Sequence, residues 1–339
     1  MGETVLIPVF MLSIMLISMP APLTAMSNHD LIIVSTFPEI AIEIKRLLCQ
    51  GDDVLSLIPM GIDPHEYQLR PNDIDLLEKA DLIVSTGHTG FEHRLRELVE
   101  KGEIRAILID LMEIPELTLL INPVTNTPNP HLPIRDPLNY MLFVINISET
   151  LSKLNPGKSE CYISNMLTVI KELSTHILPY KGAFKGDVVI DRPPLQYLVE
   201  WMGFKTTWIV KPEEGIEPTP YHVQELERLF SSNKVLLAIT TYPATSSESR
   251  VLRELAERYN VPLISIDMGN EEGLIGILKD LVSNISEMGI GNITMTIQGA
   301  GQCPFKPVDH FTTSLTLLLG VIIGVTISMI PSLLGRRRK

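Results

Sequence analysis

The chain has 339 residues with 40 Asp or Glu against 28 Lys or Arg, a formal net charge of -12. Four of the positive charges are the last residues Arg336-Arg337-Arg338-Lys339, so the rest is more acidic still, which excludes a nucleic-acid partner and suits a cationic ligand. The three cysteines, Cys49, Cys161 and Cys303, are odd in number and widely spaced; one pair can bridge, but they outline neither a disulfide framework nor a metal cluster.

At the start of the chain, Val5 to Met19 is apolar and leads into Pro20-Ala21-Pro22-Leu23-Thr24-Ala25, small residues that offer a cleavage point. Residues 1–25 therefore read as a signal peptide, or as an uncleaved anchor because Glu3 stands where a cation is usual. Leu31 to Thr36 is a short apolar run ending in small polar residues, Ile40 to Leu48 has helical spacing, and Asp81 to Gly87 repeats the first pattern after a second helical stretch, Ile74 to Lys79. Strand, helix and strand in that order predict a parallel sheet. Between them, Met60-Gly61-Ile62-Asp63-Pro64-His65-Glu66-Tyr67 places a histidine and carboxylates on a Gly/Pro-built loop.

Further strands are expected at Ala106 to Ile109, Val188 to Ile190, Val235 to Thr240 and Leu263 to Ile266, with helices at Tyr221 to Phe230 and Ser247 to Tyr259. Asn122 to Pro133, rich in Pro, Asn and Thr, reads as a surface loop carrying His131. One element breaks the alternation: after Asn155-Pro156-Gly157, Ser159 to Leu178 predicts a single helix, closed by Pro179 and Gly182, that connects two sets of βα units.

The sequons at Asn146, Asn284 and Asn292 fall outside the membrane-directed ends and permit glycosylation without showing it. Phe311 to Leu334 carries no charge and is followed by the basic tail, the pattern of a transmembrane helix with a cytoplasmic end. The expected domain plan is a signal peptide at 1–25, a first α/β lobe at 30–156, a connecting helix at 157–182 and a second α/β lobe at 183–285. A juxtamembrane linker at 286–310, a transmembrane helix at 311–334 and a cytoplasmic tail at 335–339 complete it.

Several segments together resemble the metal-binding substrate-binding proteins of zinc and manganese ABC transporters. They are Ser35-Thr36-Phe37-Pro38, Asp63-Pro64-His65-Glu66-Tyr67, Pro71-Asn72-Asp73-Ile74 with Ala80 to Val84, Asn129-Pro130-His131 with Asp136-Pro137, Glu217-Pro218-Thr219-Pro220, and Ile266-Asp267. The resemblance covers about residues 31 to 285. It implies two doubly wound βα lobes joined by a single long helix, with a metal cleft between them closed by four side chains, two from each lobe.

By that resemblance His65 and His131 match the two ligands of the first lobe, although Asp136 lies one residue further from His131 than the family spacing. Asp267, at the end of a strand, matches the carboxylate ligand of the second lobe. The remaining position, usually histidine, departs: counting back from Tyr197 gives Arg192, which has no lone pair to offer, so the adjacent Asp191 is expected to supply the oxygen. Two imidazoles and two carboxylates shift the site toward manganese or iron, while zinc keeps its intrinsic affinity. The histidine-rich loop of many zinc-specific members is missing; between Glu66 and His131 only His88 and His93 occur, read as solvated, with entry of one into the cleft as the other reading.

The expected function is therefore capture of a divalent metal ion (Zn or Mn, with Fe a third option) outside the cell by a monomeric, membrane-tethered ectodomain, which hands it to an ABC permease and its ATPase. Two other readings remain open. One is a metal-free receptor or adhesin binding an anionic ligand through Arg192. The other is a metallohydrolase with His65, His131 and Asp267 as ligands and Glu66 as base, although no HExxH helix supports it.

Overall fold

The computed structural model describes residues 29–59, 61, 62, 64–213 and 219–290. The expected signal peptide, the linker from residue 291 on, the transmembrane helix and the basic tail lie outside the described residues. Among the described residues no helix is long and apolar enough to cross a membrane.

The first lobe alternates β1 (Ile32–Ser35), α1 (Pro38–Lys45), β2 (Asp53–Ser56), α2 (Pro71–Leu77), β3 (Leu82–Ser85), α3 (Gly90–Glu100) and β4 (Ile107–Asp110). All its strand pairs are parallel, in the order β2-β1-β3-β4. β3 is buried along its whole length, as expected of a continuous apolar run covered on both faces. The second lobe repeats the plan with β5 (Asp187–Ile190), α6 (Pro194–Trp201), β6 (Lys205–Ile209), α7 (Pro220–Ser231), β7 (Val235–Tyr242), α8 (Ser247–Arg258), β8 (Leu263–Asp267) and α9 (Gly273–Glu287). Its order, β6-β5-β7-β8, is the same. Each sheet thus reverses direction beside its first strand, and that switch point opens a crevice at the carboxyl ends of the strands.

Proline punctuates the design: Pro38, Pro71, Pro137, Pro194 and Pro220 each open a helix, where the missing N–H costs nothing and the fixed φ suits the first turn. The core divides accordingly. Val34, Ile83, Leu77, Phe91 and Leu95 fill the first lobe, and Val189, Ala238, Leu226, Phe230 and Leu252 fill the second.

Two helices, not one, run between the lobes. The expected connector is α5 (Ser159–His176), and α4 (Pro137–Leu154) packs against it as the other arm of a hairpin. α4 has an apolar, β-branched composition with Tyr140, Phe143, Val144 and Ile147 buried, so its periodicity is blurred in the sequence. The hairpin turns at the first lobe, where Asn155 Nδ2 donates to the His29 carbonyl and Lys158 Nζ reaches Asp30 and Asp52 at 2.8 and 2.7 Å. Its open end reaches the second lobe, where Gly182 N donates to the Trp201 carbonyl.

Which cysteines pair, left open by the sequence, is decided by the fold. Cys49 and Cys161 form a disulfide that ties the end of the α1 segment to the first turn of α5. Such a bond suits an oxidising compartment, and the sequence separation of 112 conceals it, because only the hairpin brings the two together. The sequon residues Asn146 and Asn284 lie half-buried within α4 and α9, while Asn292 lies outside the described residues.

Candidate metal centre

The crevice of the first lobe gathers its histidines from three separate connections. His65 stands on the turn after β2, exposed, and Tyr67 two residues on anchors it: the Tyr67 hydroxyl donates to Asp73 at 2.8 Å, and its buried ring packs edge-on to Phe91 at 5.3 Å. His88 follows β3, half-buried and stacked parallel to Phe37. His131, 6% exposed, sits on the long connection before α4. The ring centroids lie 5.7 Å apart for His65 and His88, 6.1 Å for His65 and His131, and 4.9 Å for His88 and His131.

One ligating nitrogen from each of these rings lies within 4.8 Å of the others. Nitrogens bound to a single tetrahedral ion at ~2.1 Å would be roughly 3.4 Å apart, so shifts of about an ångström would close the three on one cation.

Buried polar groups fix which nitrogen faces inward. Glu92, buried at the start of α3, accepts from Ser85 Oγ and Thr86 N with one oxygen and from Thr86 Oγ1, Thr89 N and Thr89 Oγ1 with the other. Because Thr86 Oγ1 gives its only proton to Glu92 at 2.6 Å, it must accept at 2.8 Å from His88 Nδ1–H, which leaves the lone pair on His88 Nε2. The loop needs Gly87 at φ +76°, since a Cβ there would collide with the Asp110 carboxylate.

The same logic holds at His131. Asn129 Nδ2 donates to the Pro193 carbonyl and to Gln196, so its Oδ1 accepts both the His131 backbone N–H and Nδ1–H, the latter at 3.0 Å. His131 Nε2 is thereby left buried with its lone pair and without a hydrogen-bond partner. An orphaned imidazole nitrogen among two others is costly unless something electrophilic occupies the space.

The electrostatics agree. Burial pushes His88 down to about 4, with Glu92 opposing and His65 and His93 adding to the effect. Burial, then His88 and His65, pushes His131 down to about 3. Both rings are neutral ligands at neutral pH. Burial pushes Glu92 up, but its hydrogen bonds from Thr86 and Thr36 and the nearby His88 outweigh that and hold it below the usual carboxylate range.

Not every expected ligand joins this group; among the described residues the group is His65, His88 and His131, with no carboxylate. Asp191 ends β5 fully buried, and its Oδ2 accepts from Thr240 Oγ1, Thr241 N, Thr241 Oγ1 and Ser249 Oγ. Asp267 ends β8 exposed and accepts from Gly269 N at 2.9 Å, a strand-end turn. Arg192 pairs not with Asp191 but with the buried Glu248, at 2.7 Å.

Two readings of single segments change. His88 is part of the cluster and not solvated, whereas His93 is exposed. The signal was present in the sequence: Thr89-x-x-Glu92 is a capping box directly after a strand, the same setting as the His65 loop. The segment Asn122 to Pro133 is a loop that lies only partly at the surface, with Asn126, Thr127 and Pro128 exposed and Asn122, Asn129 and His131 buried. It wedges against the second lobe through Asn122 to the Pro212 carbonyl, Gln196 to the Ile121 carbonyl, and a short hydrogen bond from the Tyr197 hydroxyl to the Asn129 carbonyl.

Comparison with known proteins decides the family. The model of the family described as zinc-uptake complex component A, periplasmic (ZnuA) matches residues 33–288. The chain belongs to the ZnuA family. As a member, it is a metal-binding component of an uptake system and not an enzyme. It is 24% identical over 249 residues, 70% of this chain and 79% of the other, to the manganese ABC transporter substrate-binding lipoprotein PsaA of Streptococcus pneumoniae. Among solved structures it is similar to FpvC of Pseudomonas aeruginosa in complex with Mn2+, with a TM-score of 0.63 and 22% identity over 77% of this chain and 100% of that one. The periplasmic zinc-binding protein TroA of Treponema pallidum has a TM-score of 0.62 and 19% identity over 76% and 98%. The two-lobed ZnuA fold is thus shared, and the parallel order of both sheets is its frame.

Proposed function

We propose that the chain captures a divalent transition-metal ion outside the cell with the imidazoles of His65, His88 and His131 and delivers it to an ABC permease and its ATPase. The observation that carries this reading is the buried, unpartnered Nε2 of His131 beside the other two rings. Asp267, at the edge of the second lobe, supplies the fourth donor when the lobes close. Asp191, the other carboxylate expected as a ligand, lies outside the histidine group and braces the β5 and β7 strand ends through Oδ2, on which four donors converge, while its buried Oδ1 has no hydrogen-bond partner.

Three imidazoles move the preference from manganese or iron to zinc, since nitrogen donors suit Zn2+ and manganese favours carboxylate oxygen. The anion-receptor reading loses its support, because Glu248 already occupies the Arg192 guanidinium. PsaA is a lipoprotein; here the charge-free run 311–334 ahead of the basic tail performs the tethering.

The test is a chelator-competition titration of Zn2+ and Mn2+ into the dialysed wild type and into His65→Ala, His88→Ala, Asp191→Ala and Asp267→Ala. The expected result is near-stoichiometric zinc, bound more tightly than manganese, with large losses in both histidine variants, a smaller loss at Asp267 and none at Asp191. A wild type that retains neither metal ends the capture reading; a His88→Ala protein with unchanged affinity removes the third ligand.

A further inference from the structure

His131 is bound to the second lobe by Asn129 and Tyr197, while His65 and His88 belong to the first. Their spacing therefore depends on whatever fixes the His131 connection to the first lobe. Four residues beyond His131, Arg135 is 1% exposed and reaches both sides. Its Nη1 donates to Glu43 of α1, also 1% exposed, at 3.1 Å, and its Nη2 donates at 3.1 Å to the carbonyl of Met268, the residue after Asp267.

The same Glu43 oxygen accepts from Leu274 N, at the start of α9, at 2.7 Å. Gly273 at φ +65° lets that backbone approach, since a Cβ would meet the Glu43 carboxylate. Alongside, Arg46, just past the end of α1, donates to the Glu272 carbonyl at 3.2 Å. Three segments distant in sequence therefore meet on one buried ion pair: α1, the His131 connection, and the β8–α9 connection that carries Asp267. A guanidinium can do this because its planar fork serves a carboxylate and a carbonyl at once.

We propose that Arg135 is a positioning residue for metal capture, its fork holding the His131 and Asp267 connections against α1 so that the imidazoles keep the spacing one cation needs. The inference rests on the capture reading above. It predicts that loosening Arg135 leaves metal entry unchanged and speeds metal escape, because the ligands stay present but are no longer held together.

The experiment compares wild type, Arg135→Lys and the double variant Glu43→Gln/Arg135→Met, which removes both charges and so strands neither in the interior. Zinc association and dissociation rates are measured by stopped flow against a chelator, and melting temperatures on the metal-free proteins. The expected result for the double variant is a metal-free melting temperature near that of wild type, association within about threefold and dissociation at least tenfold faster. Arg135→Lys keeps the charge but not the fork, and should fall between the two, at least about threefold faster than wild type. Dissociation within twofold of wild type in a double variant with a native melting temperature overturns the proposal. If the double variant does not fold, wild-type dissociation in Arg135→Lys overturns it. A wild type that binds no zinc overturns the capture reading itself and this role with it, a result distinct from normal wild-type binding with unchanged variants.

Discussion

The two lobes have the same strand order and place polar residues at the carboxyl ends of their strands, yet they hold them in different ways. In the first, Nδ1 of both His88 and His131 is committed to a neighbour, which puts the lone pair on Nε2, and that of His131 is buried without a hydrogen-bond partner. In the second, Asp191 has its Oδ2 saturated by three hydroxyls and a backbone N–H from β7 and α8. The first crevice brings ring nitrogens of three histidines together, while the second holds Asp191 by one oxygen and leaves its buried Oδ1 without a hydrogen-bond partner. A shared fold locates a site, and the direction of its hydrogen bonds decides whether the site is open.

The largest expected effect tests the open side of that contrast. His131→Ala should weaken zinc binding by roughly a thousandfold or more, about 4 kcal/mol, by removing the best-oriented of three ligands. Chelator competition measures it, and a loss below tenfold would place the ion elsewhere.

The Asp191 side should respond in stability and not in affinity. Asp191→Ala leaves the hydroxyls of Thr240, Thr241 and Ser249 without their acceptor and should cost about 3 kcal/mol in urea unfolding. Zinc affinity of the folded variant should stay within about threefold of wild type. A large affinity loss would return Asp191 to the ligand set.

Acid sharpens the comparison further. The folded-state values of His88 and His131, about 4 and about 3, lie below the unfolded value of 6.5, so the unfolded chain binds more protons between them. Stability of the metal-free protein is therefore full above pH 6.5 and falls as the pH drops toward 4, by about 3 kcal/mol for each ring. Denaturant titrations at pH 7, 5.5 and 4.5 measure the slope. His88→Gln/His131→Gln, which cannot titrate, should flatten it.

The smallest effect concerns a residue that never meets the ion. Glu92→Gln disturbs the chain of protons from His88 through Thr86 and should weaken zinc by about 10- to 100-fold while leaving the three imidazoles in place. An unchanged affinity would mean that the tautomer of His88 is set by something else.

Much of this molecule was readable from short stretches. The apolar runs at 31–36 and 81–87 became β1 and β3, and the loop after Asp63 carried His65 as its residues suggested. The strands β2 and β6 and the helices α3, α4, α6 and α9 are not among the elements expected from the sequence. β2 has no apolar run and alternates exposed with half-buried residues, and α4 and α6 are buried on most faces, so neither periodicity stands out. At the site, His65 and His131 are legible through the motifs around them, while His88 is marked only by the capping box Thr89-x-x-Glu92 that follows it.

The sequence by itself determined the βα alternation, the acidic exterior, the family and two of the three histidines, because strands, turns and helix starts are written in neighbouring residues. Only the tertiary structure decided that His88 completes the cluster, that Cys49 meets Cys161 and that Asp191 turns into its own lobe. Each depends on partners 23 to 112 residues away: Asp191 on Ser249 as far as 58, His88 on His65 at 23, and the cysteines at 112. A donor's chemistry is local, but the direction of its lone pair is set by whatever the fold brings beside it.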